Sequence, residues 1–399
     1  MSDHGKKPNT NVQRRTFLMG LSGLAAASAQ AGFAFPPSEK KIRIGVVGGG
    51  FGCSFYWHEH PNCTVAAVSD LRPERRDLLV ETYHCDTVYE SLEKLILDKS
   101  LDAVAVFTGA PDHVRHCVAV MNSGKHVISA VPAAMSLEEC RTLVETKERT
   151  GKTYMMAETS YYRQEAITAR KWYKERKFGD IFYIETEYHH DMTNDGPTLV
   201  FYKGQRTWRY GFAPMHYPTH AIAFVTGITG ERLTEVTCIG HRAKDNPIYK
   251  DNVYNNPFCN ATAFYKTDKE NAVRHSEFRH VAAGICERAQ WYGDKMSFFM
   301  PTPNGAPATI CHIGKQPEPY NQPRHWQTDM LPEPLRHDSG HGGSHTFLTH
   351  EFISALQENR RPTVDVYEAV AYTAPGIVAH QSALKGGERL RIPDFGRGA

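Results

Sequence analysis

The chain has 399 residues, 41% apolar and 23% charged, with a formal net charge of +2. That length predicts two domains, and the composition excludes a disordered or fibrous protein. Lys6, Lys7, Arg14 and Arg15 against Asp3 place +3 in the first 34 residues and leave −1 for the rest. A near-neutral body of this kind argues against nucleic acid as a partner.

In chain order, Arg14-Arg15-Thr16-Phe17-Leu18 precedes an apolar stretch that ends at Ala29-Gln30-Ala31, a small-residue cleavage site. Residues 1–34 therefore read as a twin-arginine export signal, with the periplasm as destination. The apolar run is interrupted by Gly and Ser and is too short to span about 30 Å of hydrocarbon, so no stable membrane anchor is expected. From Lys41 onward, β-rich runs at Ile42–Val47, Thr64–Ser69, Ala103–Phe107, His126–Ser129 and Thr153–Met156 alternate with helix-length segments. This pattern predicts a parallel sheet of βαβ units over residues 40–157.

Residues 158–399 predict a second domain. A helix over Gln164–Lys177 leads into strands at Ile181–Tyr188, Leu233–Ile239, Cys259–Tyr265, Ala272–Phe278 and Lys295–Phe299, followed by helices at His345–Glu358 and Val366–Leu384. The fold class expected is α/β: an N-terminal Rossmann domain plus a C-terminal α+β domain with a large open, mixed, mostly antiparallel sheet. The last helix is free to pack back on the first domain. Nine scattered cysteines show no C-x-x-C pair and name no disulfide.

The first strand runs into Gly48-Gly49-Gly50-Phe51-Gly52-Cys53, and the second ends in Asp70, 20 residues after Gly50. Glycines let a backbone approach a pyrophosphate, the following helix N-terminus favours negative charge, and the acid binds ribose hydroxyls. Gly48, Gly50, Phe51, Gly52 and Asp70 are thus candidate cofactor contacts. Asp70 would repel a 2′-phosphate, so NAD is the expected cofactor. Twin-arginine export carries folded proteins, which suits a chain that takes up its dinucleotide before leaving the cytoplasm.

With Thr108-Gly109-Ala110-Pro111-Asp112-His113, Gly124-Lys125-His126-Val127 and Gly179-Asp180-Ile181, the motifs resemble, in order, those of the glucose-fructose oxidoreductase/inositol dehydrogenase (Gfo/Idh/MocA) superfamily. The resemblance implies further cofactor contacts at Thr108, Pro111, His113, Ala130, Val131 and Thr159. It also implies a substrate sheet in the second domain that commonly forms a homo-oligomer contact. Dehydrogenases of the superfamily carry Glu-Lys-Pro where this chain reads Ala130-Val131-Pro132. Valine cannot move a proton, so dehydrogenation by that route is not expected.

Valine at that place is similar to the NAD-dependent glycosidases of glycoside hydrolase family 109. So are Met155-Met156-Ala157-Glu158 with Tyr161, Tyr188-His189-His190-Asp191, Trp208-Arg209 and Tyr217-Pro218-Thr219-His220. The chain departs from them at Ala130 and Thr159, and shows no later substrate-binding tyrosine around Phe278 to Glu287.

By this resemblance the substrate is a sugar or glycoside. His220 takes a hydroxyl proton as hydride leaves C3, and Tyr188 or His190 removes the C2 proton. The C1 group then leaves by elimination, water adds, and the cofactor returns its hydride. Glu158, Tyr217 and Arg209 would hold the sugar. A sugar dehydrogenase of the same superfamily and a non-catalytic sugar-binding protein are the alternatives. His341 and His345 in Gly340-His341-Gly342-Gly343-Ser344-His345 show ligand type without ligand spacing, so no metal is assigned.

Overall fold

A computed structural model describes residues 40–192, 197–282 and 284–398. The twin-arginine segment over residues 1–34 lies outside the described residues. Among those described, no helix is long and apolar enough to cross a membrane, and all nine cysteines are free thiols.

Six parallel strands form the first sheet, in the order Val88–Tyr89, Cys63–Ser69, Ile42–Val47, Ala103–Val106, His126–Ser129, Tyr154–Met156. Among the inner strands, Ala103–Val106 is apolar and buried at every position, as expected of a parallel strand covered on both faces. Val88–Tyr89 was not expected, since two residues carry no readable period. Strand order reverses between Ile42–Val47 and Ala103–Val106, which opens a crevice beyond their carboxyl ends. The glycine turn and Thr108 lie directly after those two strands.

The second sheet has nine strands, ordered Glu318–Pro319, Thr309–His312, Met296–Phe299, Cys286–Gly293, Ile181–His189, Ala272–Phe278, Asn260–Thr267, Leu233–His241, Leu390–Arg391. Ile181–His189 runs parallel to Ala272–Phe278, and the remaining pairings are antiparallel. The register sets Tyr188 beside Glu277 on one neighbour and Glu287 on the other. Three polar side chains thus form one row across the sheet centre.

The helix Val366–Leu384 is capped by Asp365, whose carboxylate accepts from the Tyr367 and Glu368 amides. It packs on strand Leu233–His241 and also reaches the first sheet's helices, where Tyr367 donates to Glu148 at 2.7 Å. A Cβ at Gly376 would stand 2.1 Å from the Met215 carbonyl oxygen, so glycine allows this helix to touch the loop before His220. On the other side, the Trp291 indole donates to the Phe224 carbonyl at 2.8 Å and fastens the short helix Thr219–Ala223 to the sheet. The penultimate helix starts at Gly340, five residues before its expected start at His345, through a kink of three left-handed residues: His341, Gly342 and Gly343.

Candidate active site

The carboxylate of Glu158 follows the last strand of the first sheet and is fully buried. Its Oε1 accepts from the Ser160 amide at 2.9 Å and from His220 Nδ1 at 2.7 Å. Its Oε2 has no partner among the described residues. Burial works against charge on His220, but Glu158's charge and hydrogen bond, with Glu287 and Tyr217 behind them, outweigh it and hold the imidazole up at about 9. The Nδ1–H is engaged by Glu158, so Nε2–H is the donor left to face a ligand.

Around His220 stand Tyr188 and Tyr217, with ring centroids 4.8 and 5.3 Å away. The guanidinium of Arg279 lies 4.8 Å from the Tyr188 ring and 4.9 Å from the Tyr217 ring, and that of Arg209 lies 5.3 Å from Tyr217. Burial pushes the Tyr217 phenol up, but Arg209, His220 and Arg279 together bring it below its ordinary value. Burial dominates at Tyr188 and pushes its phenol up. Tyr188 Oη and His190 Nδ1 are 3.1 Å apart. Burial, then Arg279 and Arg209, hold His190 down at about 4, so it is neutral near pH 7 and shares one hydrogen bond with the Tyr188 hydroxyl.

Two carboxylates flank Tyr188 in the sheet. Glu287 accepts from Arg163 Nη2 at 2.6 Å and from the Ser160 hydroxyl, and Arg163 holds its carboxyl well below the usual range despite burial. Glu277 accepts from Arg279 at 2.7 Å and from His275 at 2.9 Å, and burial pushes its carboxyl up. Arg279 Nη1 remains without a partner.

The structure therefore brings Glu158, Tyr188, His190, Arg209, Tyr217 and His220 together. It adds Ser160, Arg163, Glu277, Arg279 and Glu287, which sequence reasoning missed. The Glu-x-Arg pair at positions 277 and 279 was a usable signal, because two opposite charges on one strand face seldom coincide without partners. Arg163 gave none, since its partner is 124 residues away.

The residues expected to hold the dinucleotide line the crevice. Gly48 has φ +105°, and a Cβ there would sit 2.2 Å from the Phe107 carbonyl oxygen. A Cβ at Gly49 would come within 2.1 Å of the Arg75 carbonyl oxygen, whereas Gly50 is exposed and a Cβ there would meet only the Arg75 guanidinium, at 3.4 Å. Gly52 is buried against Val46 and Phe107. Asp70 accepts from the Gly49 amide at 2.8 Å and the Arg72 amide at 2.9 Å, which aligns the turn and leaves further lone pairs for hydroxyls.

Thr108 Oγ1 meets His116 Nδ1 at 2.9 Å, and Pro111 lies in the short helix Ala110–Asp112 that follows. His113 is turned inward, with Nδ1 2.7 Å from the Pro132 carbonyl and Nε2 3.1 Å from that of Thr108. Burial lowers its pKa, so the neutral ring donates to one carbonyl and ties the Thr108 loop to the Val131-Pro132 turn; it supports that loop from behind. Ala130 and Val131 are buried, and the Thr159 hydroxyl is buried without a partner. An exposed glycine beside the Arg75 guanidinium, a half-buried aspartate and an orphaned hydroxyl fit a dinucleotide across the crevice.

The comparisons agree with this geometry. Residues 42–158 match the oxidoreductase family with an NAD-binding Rossmann fold, Gfo/Idh/MocA. Residues 318–399 match the C-terminal domain of glycosyl hydrolase 109. A levoglucosan dehydrogenase in complex with NADH and L-sorbose superposes with a TM-score of 0.75 at 15% identity, over 89% of this chain and all of that one. An NAD-binding oxidoreductase from Klebsiella pneumoniae gives 0.74 at 14%, over 89% of this chain and 99% of that one. The chain is an NAD-dependent enzyme whose residues 42–158 are a Rossmann domain of the Gfo/Idh/MocA oxidoreductase family.

Within that class it is similar to glycosyl hydrolase family 109 proteins. The protein of that name from Streptomyces coelicolor is 25% identical over 92% of this chain and 85% of its own length. A Tannerella forsythia protein named alpha-N-acetylgalactosaminidase is 24% identical over 96% and 97%.

Proposed function

We propose that the protein is a glycosidase that retains its NAD and cleaves glycosides by elimination and water addition. One observation carries the proposal: the His220–Glu158 pair stands beside Tyr217, a phenol that Arg209, His220 and Arg279 bring below its ordinary pKa, in a chain that has Val131 where the dehydrogenases carry lysine. When bound, NAD supplies reversible acceptance of hydride from a sugar carbon.

The chain's own residues then manage protons. His220 and Tyr217 face the hydroxyl whose proton must leave. The charge on His220 means that it binds as a donor first. It becomes a base only once further positive charge in the site lowers its pKa. Tyr188 and His190 share a hydrogen bond, and one of that pair removes a carbon-bound proton made acidic by a neighbouring ketone. The free Glu158 Oε2 and Arg209 bind ring hydroxyls or a substituent.

A retained cofactor needs no free nucleotide pool, which suits the export that Arg14-Arg15 implies. The same reading pairs subunits through the outer face of the nine-stranded sheet, where Phe264 is 55% and Ile239 62% exposed. Purified protein with no added nucleotide is expected to release 4-nitrophenol from an aryl glycoside, with no net NADH. Steady NADH formation from a free sugar, without aglycone release, would turn the reading to a dehydrogenase.

A further inference from the structure

The Gly340–His345 segment is left unused by these steps, yet it borders the same cleft. His341 adopts φ 54°, ψ 45°, a left-handed conformation that costs a non-glycine residue on the order of 1 kcal/mol, between Gly340 and two glycines. The residue keeps solvent-exposed surface, while its ring is packed among Phe51, His220 and His345. It lies 5.8 Å from Phe51 on the glycine turn and 6.4 Å from His220, centroid to centroid. The segment thus sets an imidazole between the cofactor crevice and the proton-handling cluster.

The hydrogen bonds behind that ring fix where its protons are. His345 Nδ1 is 2.7 Å from the Ser54 carbonyl oxygen, which can only accept, so His345 carries its proton on Nδ1. Its Nε2 then holds a lone pair. That lone pair faces His341 Nδ1 at 2.8 Å, so His341 must donate from Nδ1. Burial is the main cause holding both rings down at about 4, and they are therefore neutral near pH 7. The proton chain ends at His341 Nε2, a lone pair with no hydrogen-bond partner among the described residues.

We propose that His341 is a proton-accepting residue of the active site, which takes the proton of a substrate or water hydroxyl on Nε2. The O–H bond breaks, an N–H bond forms, and the oxygen keeps the electron pair for attack or for carbonyl formation. The resulting imidazolium keeps its hydrogen bond to His345. The charged groups facing it are the carboxylates of Glu287 and Glu158, which favour protonation, and His220 and Arg163, which oppose it; His345, itself neutral, would oppose it only if protonated too. His345 does not touch substrate. It is a positioning residue that selects the accepting tautomer of its neighbour.

The inference rests on the cleft being the active site proposed above, and the test separates the two. In the purified NAD-loaded protein, nitrogen–proton correlation spectra are expected to show His341 and His345 as neutral Nδ1–H tautomers near pH 7. His341→Ala is expected to lower kcat by about 10²–10⁴-fold with little change in KM and unchanged NAD content, and to remove the low-pH limb of the rate profile. His345→Gln, whose amide can donate to Ser54 and accept from His341, is expected to retain most activity, whereas His345→Met is not. An Nε2–H tautomer at His341 would overturn the proposal. So would a His341→Ala enzyme with unchanged kcat across pH, or equal effects of Gln and Met at position 345. Should the wild type cleave no glycoside, the glycosidase reading falls. The tautomer, and the effect of His341→Ala on NADH formation from sugars, then still decide this one.

Discussion

Replacing Glu158 by Gln isolates the interaction at the centre of the site. Gln keeps an oxygen to accept from Ser160 and His220 but removes the charge. In the wild type, raising His220 from its ordinary 6.5 to about 9 corresponds to about 3 kcal/mol. Because the folded-state value lies above the unfolded one, this stability is fully present below pH 6.5 and is lost as pH rises through about 9. In Glu158→Gln, burial is opposed only by the smaller effects of Glu287 and Tyr217, and His220 is expected to be neutral near pH 7. Urea unfolding over pH values of about 6 to 10 should therefore show a gap of about 3 kcal/mol at the acid end that closes toward the alkaline end. A gap independent of pH, or a wild-type His220 resonance that titrates near its ordinary value, would refute the reasoning.

Tyr217→Phe is expected to lower kcat by about 10²–10⁴-fold, and to abolish the alkaline shoulder of the rate profile that a phenol of lowered pKa produces. Gly48→Ala forces a side chain against the Phe107 carbonyl at positive φ; it should cost about 3 kcal/mol in thermal unfolding and leave the protein without NAD by mass spectrometry. Val131→Lys restores the dehydrogenase pattern at one position and should not raise net NADH formation, as followed by near-ultraviolet absorbance. Arg14→Lys with Arg15→Lys should retain the protein in the cytoplasm by cell fractionation, while the purified variant keeps its activity.

The first sheet was legible because its cues are local. Ile42–Val47 leads straight into the glycine turn, and the charge pattern around Asp70 needs no distant partner to be read. The strand Cys286–Gly293 was not, because Glu287 and Arg288 interrupt its apolar pattern. Glu287 is buried there only because Arg163, on a different element, neutralises it. Long-range pairing of that kind leaves no period in the sequence. The short runs Thr309–His312 and Leu390–Arg391 become strands by completing sheet edges, a tertiary effect that propensity does not carry.

The site divided in the same way. Motif residues Glu158, Arg209, Tyr217 and His220 could be named in advance. Their charge states could not, and the neighbours that tune them depend on register. Tyr188 or His190 was read as the base from the motif; burial, with Glu287 and Glu277 beside it in the sheet, raises the Tyr188 phenol, whereas His190 is held neutral near pH 7. The lowered phenol is Tyr217, beside Arg209 and Arg279.

The most direct test of a retained-cofactor elimination is to incubate the protein as purified, without added nucleotide, with an aryl glycoside in heavy water and examine the released sugar by mass spectrometry and NMR. Incorporation of one deuteron at C2 is expected. Aglycone release with C2 fully protonated would contradict the account.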